Sequence, residues 1–255
     1  RTDISLQCQT LEVELPEGEK PAASGGSTPV SVRRVIASGS VVIKTQDGRI
    51  ANAPKAELDT RGDMLRLSGE PYPVVADPGK SRIRAPDITI IRIPTADGKG
   101  YTTAVRTGGP GEAIFNEDEA AANTADPFRV PPDKNQMAGG EPEGKITRVR
   151  YVERMEFNEA KRRALFDGDV VLTRGDIVLN AGQLEVLTSA PQEKADDSKL
   201  KSLPLERFTA RKRVRMHNGG RHASADLLVY DIPAKITSLS MVDSEDSAQI
   251  WEEKG

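Results

Sequence analysis

One unit recurs along the chain and restricts what it can fold into: a strand, a glycine-containing turn and a return strand. It is most complete at 164–187 (ALFDGDVVLTRGDIVLNAGQLEVL). Side chains alternate along an extended strand, so Ala164, Phe166, Gly168, Val170 and Leu172 share one face. Arg174-Gly175-Asp176 supplies turn chemistry, and Ile177, Leu179, Ala181, Leu184 and Val186 make the return. A helix could be argued only for 159–165. Gly168, Gly175 and the Val/Ile/Leu alternation favour a hairpin.

The unit repeats without a gap 44 residues on. There Phe208, Ala210, Lys212, Val214 and Met216 fill the first strand, and Ala225, Leu228 and Tyr230 the second. Going 129 residues back, Val35, Ala37, Gly39, Val41 and Ile43 take the first-strand places. Ala53, Ala56 and Leu58 follow after a one-residue slip. Two partial copies, Cys8-Leu11-Val13 and Ala85-Ile88-Ile90, bring the Ala/Cys-x-x-apolar-x-apolar pattern to five. Self-similarity at a short period points to stacked supersecondary units sharing one continuous core.

The rest of the chain is consistent with many short strands. Aromatics are 4% of 255 residues, and there are 22 glycines and 17 prolines, a composition for turns rather than a helical bundle. Asp47-Gly48 marks a hairpin turn. Residues 4–15 read as a strand pair or one long strand. Strands are also expected around Leu65 and Leu67, around Tyr72 and Val74, over 83–93, 101–115 and 146–157, and at 236–241. Pro71, Pro73, Pro78 and Pro86 belong at strand ends or edges, because proline cannot donate to a ladder. Ile250 and Trp251 end the chain as a terminal core plug or as part of a further strand.

Three polar stretches, 16–31, 116–145 and 190–204, read as surface excursions. The first and third fall at the same place in the repeat. The expected organisation is a first repeat set at 1–115, a flexible linker at 116–145, and a second set at 146–255 stacked on the first. The first copy begins in mid-unit at Ile4, so further chain is expected upstream.

Composition also excludes function classes. A net charge of −3 argues against nucleic acid as a partner, and a single cysteine excludes an internal disulfide framework or a Cys-rich metal site. Cys8 stands where other copies carry alanine, so a small buried thiol is expected. No apolar run approaches the roughly 18–20 residues that a membrane span needs. No nucleophile elbow, Walker loop or dinucleotide fingerprint is present, so no catalytic residue, cofactor or enzyme activity is expected. His217 and His222 flank Asn218-Gly219-Gly220 without a cysteine partner and read as solvated turn residues, not metal ligands. Asp169 and Asp176 read as turn formers.

Two patterns remain as candidates. Val41, Ile43, Val170, Leu172, Val214 and Met216 align copy after copy, as do Leu11, Leu184, Val186, Leu228 and Tyr230. Such columns either fill a closed core, at about 1.5–3 kcal/mol per buried aliphatic side chain, or line an apolar groove. Arg211, Arg213 and Arg215 alternate onto the opposite face. They are either a solvated outer surface or a cationic rim for phosphate or anionic headgroups. Lys212 falls in the inward column, which predicts that its strand starts after it or lies at an open sheet edge.

The segments Gly39-Ser40-Val41, Gly168-Asp169-Val170, Ala225 to Asp231 (ADLLVYD) and Leu67 to Pro71 (LSGEP) resemble the OstA-like domain. That domain is found in the lipopolysaccharide-transport proteins LptA, LptC and the N-terminal part of LptD. The resemblance implies an all-β, open antiparallel β-jellyroll, or β-taco, with no substantial helix. It also implies an apolar interior that shields acyl chains of lipopolysaccharide or another acylated lipid, end-to-end stacking with other Lpt-type β-jellyroll proteins, and a periplasmic or cell-envelope location. The columns named above are then the groove lining, and the three arginines the headgroup rim. The competing expectation is a structural envelope module that assembles by edge-strand β-augmentation. A carbohydrate-processing β-solenoid is weaker, for want of a carboxylate column. Lys212 in place of the repeat's glycine and the long polar insertions depart from the family pattern.

Overall fold

The computed structural model describes residues 4–16, 32–46, 48–77, 81–95, 98, 100–116, 146–188, 205–231, 233–234, 236–241 and 248–252. Among these are eighteen strands and no helix, and every pairing is antiparallel. Asp47 and most of the three polar insertions lie outside the described residues.

Six strands are long and pair within two different limbs of the sheet. They are β3 (Arg34–Thr45), β4 (Ile50–Asp59), β13 (Arg163–Arg174), β14 (Ile177–Thr188), β15 (Leu205–Asn218) and β16 (Arg221–Asp231). The other twelve come in consecutive pairs that cross between the limbs with a break. These are β1 (Ile4–Gln7) with β2 (Thr10–Glu14), β5 (Met64–Ser68) with β6 (Val74–Asp77), and β7 (Ser81–Arg84) with β8 (Asp87–Pro94). Likewise β9 (Tyr101–Gly108) goes with β10 (Gly111–Asn116), β11 (Ile146–Tyr151) with β12 (Arg154–Asn158), and β17 (Ile236–Ser240) with β18 (Gln249–Glu252). Pairing in the first limb runs β2–β3–β4–β5–β8–β9–β12–β13–β14–β15–β16–β17. In the second it runs β1–β3–β4–β6–β7–β10–β11–β13–β14–β15–β16–β18. Because β4 and β13 belong to both limbs while the rows between them are interrupted, the pairings β4–β5–β8–β9–β12–β13–β11–β10–β7–β6 close on themselves as a ten-strand ring. β14–β16 with β17 and β18 flank the ring on one side, and β1–β3 on the other.

The change of limb has a local backbone cause. Three of the long strands carry two successive left-handed residues: Gly39-Ser40 (φ 79° and 49°), Gly168-Asp169 (81° and 41°) and Lys212-Arg213 (67° and 54°). Each pair coincides with a register shift against the neighbouring strand, the signature of a β-bulge that redirects a strand. Glycine suits the first position, where a side chain is strained and, at residue 168, a Cβ would come within 2.8 Å of the Glu153 backbone nitrogen. Lys212 therefore neither begins a strand nor lies at an open edge. β15 runs through it from Leu205 to Asn218, and the lysine occupies the bulge position that glycine holds in β3 and β13. In the broken rows the same place is taken by Pro71 and Pro73 before β6, Pro86 before β8 and Gly109 before β10.

The Ala/Cys-x-x-apolar-x-apolar pattern now has a geometric meaning. Ala181 pairs with Val170 in the second limb and Leu184 with Phe166 in the first, so the two intervening residues span the bend. Ala225 and Leu228, and Ala53 and Ala56, span the bend in the same way. Inward residues of both limbs pack together in two clusters. One is centred on Phe166, Met155, Leu184 and Val214, the other on Leu67, Ile88, Ala37 and Val41. Ile83 and Val105 pack against both. The halves expected at 1–115 and 146–255 are joined directly, through β9–β12 and β10–β11.

Candidate functional site

The antiparallel registers assemble the inward positions into rows that run across the whole sheet. Nearest the bend on the first limb, one row reads Leu11, Ala37, Ala56, Leu67, Ile88, Thr107 and continues Met155, Phe166, Leu184, Ala210, Leu228, Leu239. From Ala37 to Leu228 every member is buried. One step further from the bend, Val35, Leu65, Ile90, Val105 and Phe157 are only half-buried, and Leu58 is 40% exposed. The same outer row closes again at Ala164, Val186, Phe208 and Tyr230, all under a tenth exposed. The interior is thus sealed along the bend throughout, but accessible from the side opposite the bend in the N-terminal half.

The sequence-predicted lining residues do share one interior. Val41, Val170, Leu172, Leu184, Val186, Val214, Leu228 and Tyr230 are buried, and Ile43 and Met216 are half-buried against the same clusters. Leu11 is the exception at 52% exposed, because β2 pairs only with β3 among the described strands. Periodicity alone missed Leu58, Leu65 and Ile90 as accessible wall positions, since inward direction was legible but distance from the bend was not. Cys8 is half-buried beside the N-terminal cluster rather than fully buried.

The three arginines are not gathered at one place. Arg211 lies on the outer face of the first limb, its guanidinium 3.2 Å from Glu185. Arg213 sits in the bulge, 3.9 Å from Asp169. Arg215 is on the outer face of the second limb, paired in register with Asn180 and Ser224. The bulge at 212–213 separates them, an effect that plain alternation does not anticipate.

Two buried polar groups, at Thr107–Tyr151 and at Asp167, are hydrogen-bonded within the sheet. Tyr151 fills the space beside Gly111, where any Cβ would overlap its hydroxyl, and that hydroxyl hydrogen-bonds Thr107 Oγ1 at 2.8 Å. Thr107 Oγ1 also accepts from the Met155 backbone N–H at 3.0 Å. Burial pushes the Tyr151 phenol above its ordinary range, outweighing the opposing Thr107 bond. At the bend, Asp167 accepts from Gln183 Nε2 at 2.7 Å and from Arg154 Nε at 2.9 Å. Its burial alone would raise the pKa, yet these two bonds hold the carboxyl below the ordinary range. Among the described residues no three of His, Cys, Asp and Glu cluster as a metal site would require.

Both lateral ends expose apolar side chains. Ile4, Leu11 and Val13 lie exposed on β1 and β2, and Ile236, Ile250 and Trp251 on β17 and β18. β1 and β2 pair only with β3, and β17 and β18 only with β16, so among the described strands each end carries unpaired backbone edges.

Residues 153–251 match the family described as LptA/(LptD N-terminal domain) LPS transport protein. The likeness drawn from the repeat motifs is therefore shown for that part of the chain, the half whose interior is closed. Comparison with curated proteins gives no match. Among solved structures, LptH from Pseudomonas aeruginosa, the LptA-homologous periplasmic component of its lipopolysaccharide transport device, aligns at 11% identity and a TM-score of 0.39. The alignment covers 82% of this chain and 97% of that one.

Proposed function

We propose that this chain is a non-enzymatic lipid-binding element of lipopolysaccharide transport in the cell envelope, acting in the periplasm. The two limbs form a β-jellyroll of the taco type, and acyl chains lie between them. The observation that carries this reading is the burial gradient across continuous apolar rows, buried at the bend and half-exposed one step out over Val35, Leu58, Leu65 and Ile90. A row of this kind offers an elongated acyl chain contact over many strands at little cost in buried polar groups. The family matched by residues 153–251 supplies the ligand class, lipopolysaccharide or a related amphiphile.

The exposed apolar ends support a further part of the reading. Ile4, Leu11 and Val13 at one end, with Ile236 and Ile250 at the other, flank unpaired strand edges that fit end-to-end pairing with other β-jellyroll units. Assembly alone, without a lipid, is the competing function.

Uptake of a fluorescent fatty acid separates the two. The wild-type chain should bind the probe at micromolar levels and release it to added lipopolysaccharide. Leu58→Asp with Leu65→Asp should weaken binding about tenfold or more while leaving the sheet intact, since a charge is then placed in an apolar wall. A wild-type chain that takes up no acyl probe, or forms bare oligomers only, would sink the lipid reading and leave the assembly module.

A further inference from the structure

His217 and His222 are directly paired across β15 and β16, on the outer face of the second limb and away from the apolar interior. The hairpin loop between them is Gly219-Gly220, closed by Asn218 opposite Arg221. In a two-residue hairpin the closing pair exchanges backbone hydrogen bonds, so the next pair outward is the non-hydrogen-bonded kind in which side chains approach most closely. The imidazoles take up that closeness, with ring centroids 4.6 Å apart and the two Nδ1 atoms facing each other at 3.3 Å. Trp251 stacks on the His222 ring at 5.4 Å and 9°, which fixes that ring's orientation. Beside the pair is a cleft of about 330 Å³ bordered by Asn180, Arg215, Ser224 and Gln249.

We propose that His217 and His222 form a bidentate site for one borderline-soft divalent transition-metal ion of the Cu²⁺/Zn²⁺ class. Zinc–imidazole bonds of about 2.0–2.1 Å at a tetrahedral angle put two nitrogens about 3.3 Å apart, which is the separation already built into this hairpin. Imidazole is also the donor these ions prefer among the side chains present. In a neutral pair, one Nδ1–H donates across this gap to the other Nδ1. On binding, the donor ring's hydrogen moves from Nδ1 to its own Nε2, and both Nδ1 lone pairs turn to the ion with no net change in protonation. Among the described residues no carboxylate or thiol adds a third protein ligand. The remaining positions therefore belong to water or to an exogenous donor seated in the cleft, with Arg215 favouring an anionic one. Sequence spacing alone made these two residues look like solvated turn positions, because it cannot show that the rings converge.

The chain carries one tryptophan and two histidines, which makes the test specific. Tag-free, EDTA-dialysed protein is titrated with CuCl₂ while Trp251 fluorescence is followed, and with ZnCl₂ by calorimetry. Saturable quenching and heat at one equivalent support the site, with both weakened about tenfold or more in His217→Gln, which leaves the His222–Trp251 stack in place. Equal quenching in wild type and His217→Gln, or no zinc heat, overturns it. Should His217→Gln lose its sheet signal by circular dichroism, the wild-type histidine ring resonances decide. Broadening of both by substoichiometric Cu²⁺ supports the site, and broadening of one or neither overturns it.

Discussion

Phe208 and Tyr230 close the outer inward row in the C-terminal half, stacked with centroids 6.4 Å apart and 7° between planes. At equivalent row positions in the N-terminal half stand Val35 and Leu58, and there the row is half-open. The two halves use the same repeat, the same bend and the same antiparallel registers. They differ in the bulk around the inward row rather than at every position of it. Ala164 and Val186, the counterparts of Val35 and Leu58, are smaller yet buried, in a row continued by Phe208 and Tyr230. Of the eight buried residues in the N-terminal cluster five are alanines, whereas the C-terminal cluster contains Phe166, Phe208, Tyr151, Tyr230 and Met155. One backbone plan thus yields a filled core or an accessible trough according to what the inward positions carry. The half matched by the lipopolysaccharide-transport family is the filled one, so the capacity for a ligand is argued from the other half's packing.

The sharpest way to break this comparison is to remove volume from each half. Phe166→Ala deletes a fully buried ring at the centre of the larger cluster and should cost about 3–5 kcal/mol. Leu58→Ala, at a position already 40% exposed, should cost under about 1 kcal/mol, since little apolar surface is returned to water. Urea unfolding of the two variants measures both. Similar costs would mean that the N-terminal half is as closed as the C-terminal one. Val170→Asp and Leu172→Asp belong with Phe166→Ala: each places a charge in the packed half and should unfold the chain, not merely empty a groove.

The bends permit a smaller contrast. Gly168→Ala puts a side chain at φ +81° against the Glu153 backbone, and should destabilise by about 1–3 kcal/mol. Lys212→Gly relieves a non-glycine residue from φ +67° at the equivalent bulge, and should stabilise by about 0.5–1 kcal/mol. Opposite signs at one structural position in two strands, read from thermal melts, are the expected result. A destabilised Lys212→Gly would show that the lysine's side chain, packed against Gly182, matters more than its backbone strain.

How far the sequence foretold this arrangement depends on the residue. Where inward positions are apolar and evenly spaced, as in β3, β13 and β15, strand and inward face are legible in the sequence. The bend is not, because alternation runs straight through the bulge and makes Lys212 read as a strand start or an open edge. Two further copies are not legible in the sequence. In β9 and β10 the inward places are Val105, Thr107, Gly109, Gly111 and Ala113, a series at the same spacing in which polar Thr107 and two glycines interrupt the apolar signal. The structure compensates across the seam, with Tyr151 occupying the volume Gly111 lacks and bonding Thr107. In β11 and β12, Tyr151 and Met155 stand four residues apart where other copies have three, so the Ala-x-x-apolar spacing is lost. Burial was less legible than direction. A leucine facing inward at position 58 and one at position 67 look alike in sequence; distance from the bend and the bulk of the neighbouring strands separate 40% exposure from none. Cross-strand convergence of His217 and His222 belongs to the same class of information.

The smallest expected effect concerns acid. Asp167 lies at the bend of the closed half, with its side chain 10% exposed and tied to Arg154 and Gln183. Asp59, in the N-terminal half, is held by the backbone N–H groups of Gly62 and Arg61 in an exposed turn. Both carboxyls sit below the ordinary range, Asp167 against the opposing effect of its burial and Asp59 chiefly through its two turn bonds. A carboxyl depressed in the folded state contributes its full stability above the unfolded pKa of about 3.9 and loses it as pH falls through the folded value. Stability should therefore be level near neutrality and decline below about pH 4. Asp167→Asn should flatten that decline, because the amide keeps one acceptor but carries no charge to titrate. Asp59→Asn should change it less, since turn bonds to an exposed group are screened by solvent. Melting temperatures of the three proteins from pH 3 to 7 test the ordering, and an acid slope governed by Asp59 would place the pH-sensitive contact in the accessible half instead of the bend of the closed one.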